Sequence, residues 1–184
     1  MLADYEIERD ILSGHLGVHP YDPALLQPNS LDVRLDRHFL VPTELSLMDT
    51  ADVPPGHMRE LEADYVDLAP RAFVLGSTVE VVDLPSTIVG QVEGKSSIGR
   101  LGLLVHVTAG VIDSGFNGNI TLEIVNLSPW TVRLHAGMTI GQVTFRRCSR
   151  VDRPYASRYQ GQRGPVESMY TGAAHALATD VPGA

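Results

Sequence analysis

The sequence predicts an all-β domain, a sandwich or a barrel, preceded by one short helix. From about residue 73 onward the chain consists of short segments rich in Val, Ile and Thr, which favour strands. Gly, Pro, Asn and Asp separate these segments and are typical of the turns between strands. No helix-length pattern alternates with them, so a parallel α/β sheet is not expected.

The first element is a predicted helix over residues 4–12. Ile7 and Ile11 are spaced i, i+4 on one helical face, and Gly14 is a plausible stop just beyond the end. Residues 15–30 contain three prolines and are predicted to form a loop.

A first strand is predicted over residues 31–36, where apolar and polar residues alternate. Residues 43–71 are rich in Pro and acids and are expected to form an exposed excursion. Later strands are predicted at 73–82, 87–91, 103–108, 119–126, 131–135 and 139–145.

Length, charge and composition restrict the class of protein. The 184 residues fit one domain, which we expect over 1–165, with a flexible tail over 166–184. The net charge of −8 argues against nucleic-acid binding. No apolar run reaches the roughly 18 residues that a membrane span requires, and the acidic N-terminus does not resemble a signal peptide. A cytoplasmic protein is expected.

Cys148 is the only cysteine and Lys95 is the only lysine. A disulfide within the chain and a thiolate zinc cluster are therefore excluded. Six arginines fall between residues 146 and 163. Such a group can attract a small polyanion such as a phosphate ester, although it is equally typical of a solvated surface.

Glu123 is the first candidate for chemistry. It shares a strand face with Thr121 and Val125, while the apolar residues Ile120 and Leu122 point to the other side. A partly buried carboxylate in such a place can act as a general acid or base. An exposed glutamate paired with an arginine fits the pattern as well.

The turn at residues 94–102 is a candidate anion site. Its glycines allow backbone N–H groups to approach a ligand, and Lys95, Ser96, Ser97 and Arg100 add positive charge and hydroxyl donors. The order of residues is not that of a Walker A loop. Gly and Ser also mark ordinary turns, so the pattern alone is weak.

Three other stretches are ambiguous. Asp113 precedes a Gly-rich turn and is either the start of an Asx turn or a ligand for a sugar hydroxyl or a water. His106 lies in an apolar segment and fits a hydrogen-bonded core residue or a ligand. The polar stretch 159–165 fits a surface tail or a flap that closes over a ligand.

Taken together, seven stretches in order resemble the deoxycytidine triphosphate (dCTP) deaminase family of the trimeric dUTPase superfamily. They are 27–35 (QPNSLDVRL), 73–80 (FVLGSTVE), 93–103 (EGKSSIGRLGL), 106–113 (HVTAGVID), 120–123 (ITLE), 137–141 (GMTIG) and 159–164 (YQGQRG). The resemblance implies a distorted jelly-roll β-barrel and a homotrimer with active sites between subunits.

The resemblance also implies roles for single residues. Glu123 matches the catalytic glutamate, Ser96 and Arg100 match residues that hold the reacting water and stabilise the intermediate, and the carbonyl of Ala109 matches a group that positions the water and the amine. The implied nucleotide-binding residues are Lys95, Ser97, His106, Val107, Asp113, Tyr155, Arg158, Tyr159 and Gln162. No zinc is implied, and Mg²⁺ is expected to arrive with the triphosphate.

Two departures from the family pattern concern the tail and the excursion. Arg158 stands where the family often has lysine, the linker before it is short, and residues 43–71 match poorly.

Gly110 favours the family members that convert dCTP to dUMP and pyrophosphate, since many members that stop at dUTP carry a histidine at this position. The alternatives are a deaminase that stops at dUTP, a dUTPase without deaminase activity, a deaminase of another cytosine nucleotide, and a silent nucleotide-binding regulator.

Overall fold

Short antiparallel strands make up most of the chain in the computed structural model, which describes residues 1–45, 47–50 and 52–170. The strands are β1 (Gly17–His19), β2 (Leu26–Gln27), β3 (Ser30–Arg34), β4 (His38–Pro42), β5 (Met58–Glu62), β6 (Tyr65–Leu68), β7 (Phe73–Asp83), β8 (Ile88–Gly94), β9 (Leu103–Leu104), β10 (Val111–Ile112), β11 (Asn117–Asn126), β12 (Val132–His135) and β13 (Thr139–Arg147). The helices are α1 (Asp4–Leu12) and the single-turn α2 (Ser96–Gly99).

The strands form two large sheets and one small one. The first has the order β5-β4-β7-β11-β9, with β1 also paired to β7. The second has the order β10-β8-β13-β3-β2, and β12 pairs with β6. The apolar faces of these sheets share one continuous core. The expected all-β barrel with a short N-terminal helix is confirmed.

Helix α1 has the predicted bounds. Ile7 is fully buried, and Gly14 ends the helix with a φ of 73°, its N–H donating to the carbonyl of Ile11 at 3.0 Å. The left-handed backbone at that position suits glycine.

Strand alternation gives the second sheet one apolar face and one polar face. Leu31, Val33 and Val143 point into the core. The opposite side, which we call the polar face, carries Ser30, Asp32, Gln142 and Thr144, with Gln142 directly opposite Asp32 in the register. Ser30, Asp32 and Thr144 are nevertheless buried.

Several sequence predictions of strands were wrong. The predicted loop 15–30 contains β1 and β2, and the predicted excursion 43–71 contains β5 and β6, after a β4 that was missed. Strand β5 is a sheet edge with exposed charged residues. Charged residues protect an edge strand from pairing with other chains. They also remove the apolar alternation by which a strand is recognised in a sequence. The predicted strand 103–108 is a strand only at β9.

After β13, the chain is bonded to β11 of the first sheet between Gly161 and Val166. Backbone bonds join the Gly161 N–H to the Asn117 carbonyl at 2.7 Å and the Asn119 N–H to the Gln162 carbonyl at 3.1 Å. The predicted flexible tail begins at 166, and its part from 171 to 184 lies outside the described residues. Within the described ranges, neither helix has the length and apolar character of a membrane span.

Candidate active site

Strand β11 has one edge paired along most of its length, with a bulge at Ile120, and one edge with a gap. Strand β7 pairs with it from Asn117 to Val125. On the other edge the C-terminal segment covers the start of β11, and β9 pairs with its end, where Leu104 lies opposite Val125. Glu123 lies between these two neighbours, so its surroundings are set by a different segment, residues 105–110.

The carboxylate of Glu123 is held by that segment. The backbone N–H of Val107 donates to Oε2 of Glu123 at 2.9 Å. The side chain is half-buried, as expected for a mid-strand acid flanked by Thr121 and Val125. A backbone donor fixes the orientation of the carboxylate.

Glu123 lines a cleft of about 930 Å³. Its walls come from β11, from residues 106–113, from the C-terminal segment and from the excursion between β4 and β5. The predicted site residues that line it are His106, Val107, Ala109, Asp113, Glu123, Tyr155, Tyr159 and Gln162. The fold thus brings together eight residues that the sequence analysis selected separately.

Gly110 is tightly enclosed beside this cleft. A Cβ built there would lie 2.9 Å from the carbonyl oxygen of Val92 and 3.3 Å from Cε1 of His106. The Gly110 carbonyl also accepts the Val92 N–H at 2.7 Å, which ties it to β8. Any side chain at this position must displace the wall of the cleft. The nearest side chain is that of His106, whose buried Nδ1 lacks a hydrogen-bond partner among the described residues.

The C-terminal segment is fastened to β11 by side chains as well as by backbone. The amide of Gln162 donates to the Asn119 carbonyl at 2.5 Å and to Thr121 Oγ1 at 3.2 Å. Thr121 Oγ1 also accepts the Val166 N–H at 3.2 Å. Thr121, two residues from Glu123, is therefore the point where the segment reaches the centre of the cleft.

Aromatic residues fix the remainder of this segment. Tyr155 packs edge-on against Phe116, with ring centroids 5.8 Å apart. The hydroxyl of Tyr159 accepts the Met169 N–H at 3.0 Å, and Arg158 donates to the Met169 carbonyl at 2.5 Å. Arg158 is exposed and Tyr159 lines the cleft.

Helix α2 and the residue after it carry three further predicted site residues. None of the three lines the Glu123 cleft of the same chain. Ser96, Ser97 and Arg100 are exposed, and Ile98 anchors the helix in the core. Four large apolar side chains are exposed in the segments after α2 and after β11. They are Leu101, Leu104, Leu127 and Trp130.

Lys95 directly precedes α2 and faces the polar face of the second sheet. Its ammonium forms a salt bridge with the buried carboxylate of Asp32. Lys95 is therefore also separate from the cleft that contains Glu123.

Sequence reasoning missed the contribution of the excursion. Leu45, Leu47 and Met48 line the cleft, and so does the buried His57, whose Nδ1 is 2.9 Å from the Pro54 carbonyl oxygen and 3.6 Å from Glu167 Oε2. The sequence feature that could have indicated this contribution is the Pro-Pro-Gly-His turn at residues 54–57. No group of three His, Cys, Asp or Glu side chains with metal-site geometry occurs in the described part of the chain.

Comparisons with known proteins show which family this chain resembles. The family model described as "dCTP deaminase-like" matches residues 1–148. A Nocardioides protein named "dCTP deaminase, dUMP-forming" is 48% identical over 181 residues, covering 91% of this chain and 94% of the relative. A Thermobifida fusca protein of the same name is 47% identical over 179 residues, covering 91% of each chain.

A solved structure shows the same fold. The 2'-deoxycytidine 5'-triphosphate deaminase from Agrobacterium tumefaciens superposes with a TM-score of 0.64 at 23% identity. The match covers 80% of this chain and 47% of that one, so this chain corresponds to about half of its length. With a family model over most of its residues and relatives near half identity over nearly their full length, this chain belongs to the dCTP deaminase-like family.

Proposed function

We propose that this protein deaminates dCTP and cleaves the resulting triphosphate, which yields dUMP, ammonia and pyrophosphate. The observation that carries the proposal is the Glu123 carboxylate, held by the Val107 N–H in a cleft large enough for a nucleotide. The curated relatives named "dCTP deaminase, dUMP-forming" support the same products. We assign the chemistry to residues 1–165, with 166–184 as a tail, in a cytoplasmic enzyme of nucleotide metabolism.

Deamination follows from a general base beside a sheltered water. Glu123 takes a proton from the water as the water oxygen bonds to C4 of the cytosine, and this proton passes to N3, which gives a neutral tetrahedral intermediate. The proton of the new hydroxyl then passes through Glu123 to the exocyclic nitrogen, the C4–N bond breaks, ammonia leaves and a C4 carbonyl remains. The carbonyl of Ala109, which lines the same cleft, is assigned to orient the water and the amine. Closure of the cleft strengthens these interactions by excluding bulk water.

A second copy of the chain would complete each site. Ser96 and Arg100 are exposed on α2 and away from the Glu123 cleft of their own chain. We propose a homotrimer in which these residues meet the cleft of a neighbouring subunit, hold the water and stabilise the intermediate. The exposed apolar residues that follow α2 support a contact between copies, because they would be removed from water there.

The triphosphate would be held where the C-terminal segment borders the cleft. We assign Tyr155, Arg158, Tyr159 and Gln162 to this role, with Ser97 contributed by the neighbour. Mg²⁺ commonly binds through phosphates and a few carboxylates without a protein cage. Asp113, whose carboxylate lines the cleft, fits that donor set. Bound Mg²⁺ would neutralise charge on the triphosphate.

The second step needs room for another water. That water attacks the α-phosphorus, its proton is released to solvent, and the bond to the bridging oxygen of pyrophosphate breaks. Asp113 is assigned to the sugar and to this water, and His106 and Val107 to the base. Gly110 supports the step because a side chain there would collide with Val92 and His106 and displace the wall of the cleft.

A product assay tests the proposal directly. The purified protein is incubated with dCTP and Mg²⁺ beside CTP and dCMP, and ammonia, dUTP, dUMP and pyrophosphate are measured. We expect ammonia, dUMP and pyrophosphate in equal amounts from dCTP. Accumulation of dUTP without pyrophosphate would exclude the second step, and the absence of ammonia would exclude the deaminase.

A further inference from the structure

The hydrogen-bonded ladder between β7 and β11 is interrupted at a bulge. Asn119 pairs with Val81, and Thr121, two residues further on, pairs with Ser77. Residues 78–80 of β7 therefore lie opposite a single residue of β11, where a regular antiparallel ladder would place only one. Such a bulge leaves backbone groups that must find partners outside the ladder.

A buried asparagine fills this bulge. The side-chain nitrogen of Asn119 donates to the Thr78 carbonyl at 2.8 Å. The carbonyl oxygens of Val79 and Glu80 each lie 3.4 Å from the same nitrogen, so three consecutive carbonyls of β7 converge on one side chain. The Thr78 hydroxyl completes the arrangement, because it accepts the Ile120 N–H at 3.0 Å and donates to the Glu80 carbonyl at 2.6 Å.

The oxygen of the same amide group holds the C-terminal segment. Oδ1 of Asn119 accepts the Gly164 N–H at 3.1 Å. The backbone N–H and carbonyl of Asn119 are also bonded to Gln162, at 3.1 Å and 2.5 Å. One residue therefore makes three bonds to the segment while its side chain is fixed to β7.

These bonds set a register between the C-terminal segment and β11. Gly164 is bonded to Asn119, and Val166, two residues further on, is bonded to the Thr121 hydroxyl at 3.2 Å. Two steps along β11 thus match two steps along the segment, and both chains run toward Glu123.

Asn119 itself does not line the cleft. Asparagine is depleted in strand interiors, and a buried amide is costly unless its polar atoms are bonded. Repair of the bulge alone would require only the amide nitrogen. The bond from Oδ1 to Gly164 serves the segment, which supplies Val166 and Ser168 to the cleft wall.

We propose that Asn119 is the positioning residue that fixes the register of the C-terminal segment on β11, with the bulge of β7 as the socket for its side chain. A segment displaced by one residue would present different side chains to the cleft. The inference rests on the proposed function for its effect on dCTP turnover, although the anchoring itself is independent of that function.

Kinetics with dCTP distinguish positioning of the segment from general support of the fold. Asn119→Leu removes both ends of the anchor at similar side-chain size and leaves the bond between Val107 and Glu123 in place. We expect KM to rise about tenfold or more, while kcat changes little. A residue that only supports the fold predicts the opposite, a lower kcat and an unchanged KM.

Variants of Thr78 test whether the bulge is the socket. Thr78→Val should also raise KM, because the hydroxyl that closes the bulge is lost. Combined with Asn119→Leu it should raise KM by less than the product of the two separate effects, since both variants act on one bulge. Thr78→Ser retains the hydroxyl and should behave as wild type.

Asn117→Leu is the matched control. Asn117 lies on the same strand, and its side chain accepts a bond from Arg163 at 3.3 Å, but this contact is exposed. Trypsin cleavage after Arg158 should be about tenfold faster in Asn119→Leu than in wild type and nearly unchanged in Asn117→Leu. Circular dichroism and thermal melting verify that both variants are folded.

Hydrogen exchange measures the anchoring without any assay of activity. Asn119→Leu should speed amide exchange about tenfold in a peptide spanning 162–168 and leave a peptide from β13 unchanged. If the wild type released no ammonia from dCTP, the proposed function would fail while this measurement still tested the anchor. Unchanged exchange at 162–168, a lower kcat at constant KM, or equal cleavage of the two leucine variants would overturn the inference.

Discussion

The backbone N–H of Val107 donates to Oε2 of Glu123 across a separation of 16 residues, at 2.9 Å. The bond exists because residues 105–110 leave the strand conformation after β9 and turn toward the open edge of β11. A continuous strand over 103–108 would have directed these N–H groups into a ladder. The orientation of the acid therefore depends on the irregularity of the segment opposite it.

Replacement of Glu123 by glutamine should abolish proton transfer while preserving shape. We expect Glu123→Gln to lower kcat for ammonia release from dCTP by about 100- to 10,000-fold, with dCTP binding retained in calorimetry. Glu60→Gln, the same change at an exposed site on β5, serves as the control. Ammonia release at the wild-type rate from Glu123→Gln would contradict the assigned mechanism.

Mixing two inactive variants should restore activity if sites form between subunits. Glu123→Gln and Arg100→Ala damage opposite sides of the proposed site. In randomly mixed trimers, a subunit that retains Glu123 can meet a neighbour that retains Arg100, so about a quarter of the wild-type activity should return. Unfolding and refolding of the equal mixture, with each variant treated alone as control, provides the measurement. Activity no greater than that of the separate variants would place both residues in one chain's site.

A side chain at Gly110 should separate the two steps. The Cβ of Gly110→Ala would lie 2.9 Å from the Val92 carbonyl oxygen, and the ring of Gly110→His would extend further against His106. We expect Gly110→His to release ammonia while dUTP accumulates, with Gly110→Ala intermediate. The ratio of dUTP to dUMP, measured by chromatography, checks this, and an unchanged ratio in the histidine variant would show that Gly110 does not select the product.

A buried ion pair between the two large sheets should contribute more to stability than an exposed one. Glu80 is fully buried and accepts both the Arg34 Nε–H at 2.7 Å and the Arg34 backbone N–H at 2.9 Å. Glu80→Ala should lower the free energy of unfolding by about 3 kcal/mol in urea denaturation, since it strands a poorly solvated guanidinium.

The exposed pair of Asp67 and Arg133 offers a matched comparison. Two hydrogen bonds from Arg133, at 2.7 and 2.8 Å, lower the pKa of Asp67, but water screens the pair. Asp67→Ala should therefore leave the urea midpoint close to that of wild type. A larger loss for Asp67→Ala than for Glu80→Ala would contradict this ranking.

The sequence predicted the elements whose pattern reflects burial. Helix α1 and strand β11 have clear periodicity because one face of each packs in the core. Strand β5 lacked such a pattern because it is a charged edge, and it was missed.

The fold brings together some of the residues that the motifs selected, whereas their arrangement in space was not predicted. Motifs selected Glu123, Gln162 and Tyr159, which the fold brings to one cleft. They did not indicate that Ser96 lies apart from that cleft, or that Lys95 pairs with Asp32. Such relationships depend on which strands become neighbours, and local periodicity does not encode them.

The hydroxyl of Thr121 should control how firmly the C-terminal segment covers the cleft. It accepts N–H groups from Gln162 and Val166, and Thr121→Val would remove both bonds, so that Val166 loses its partner while the Gln162 amide keeps its bond to the Asn119 carbonyl. At about 1 kcal/mol for each bond, KM for dCTP should rise about tenfold or more, while Thr121→Ser, which retains the hydroxyl, should behave as wild type.

Limited trypsin digestion gives a second readout of the same contact, because Arg158 and Arg163 lie within the segment. Cleavage there should be faster in Thr121→Val than in Thr121→Ser, since trypsin acts on the detached segment. If the two variants were cleaved at the same rate and shared one KM, the segment would be held by its other bonds to β11, which are made at Asn117 and Asn119. In that case the hydroxyl would have no part in closing the site.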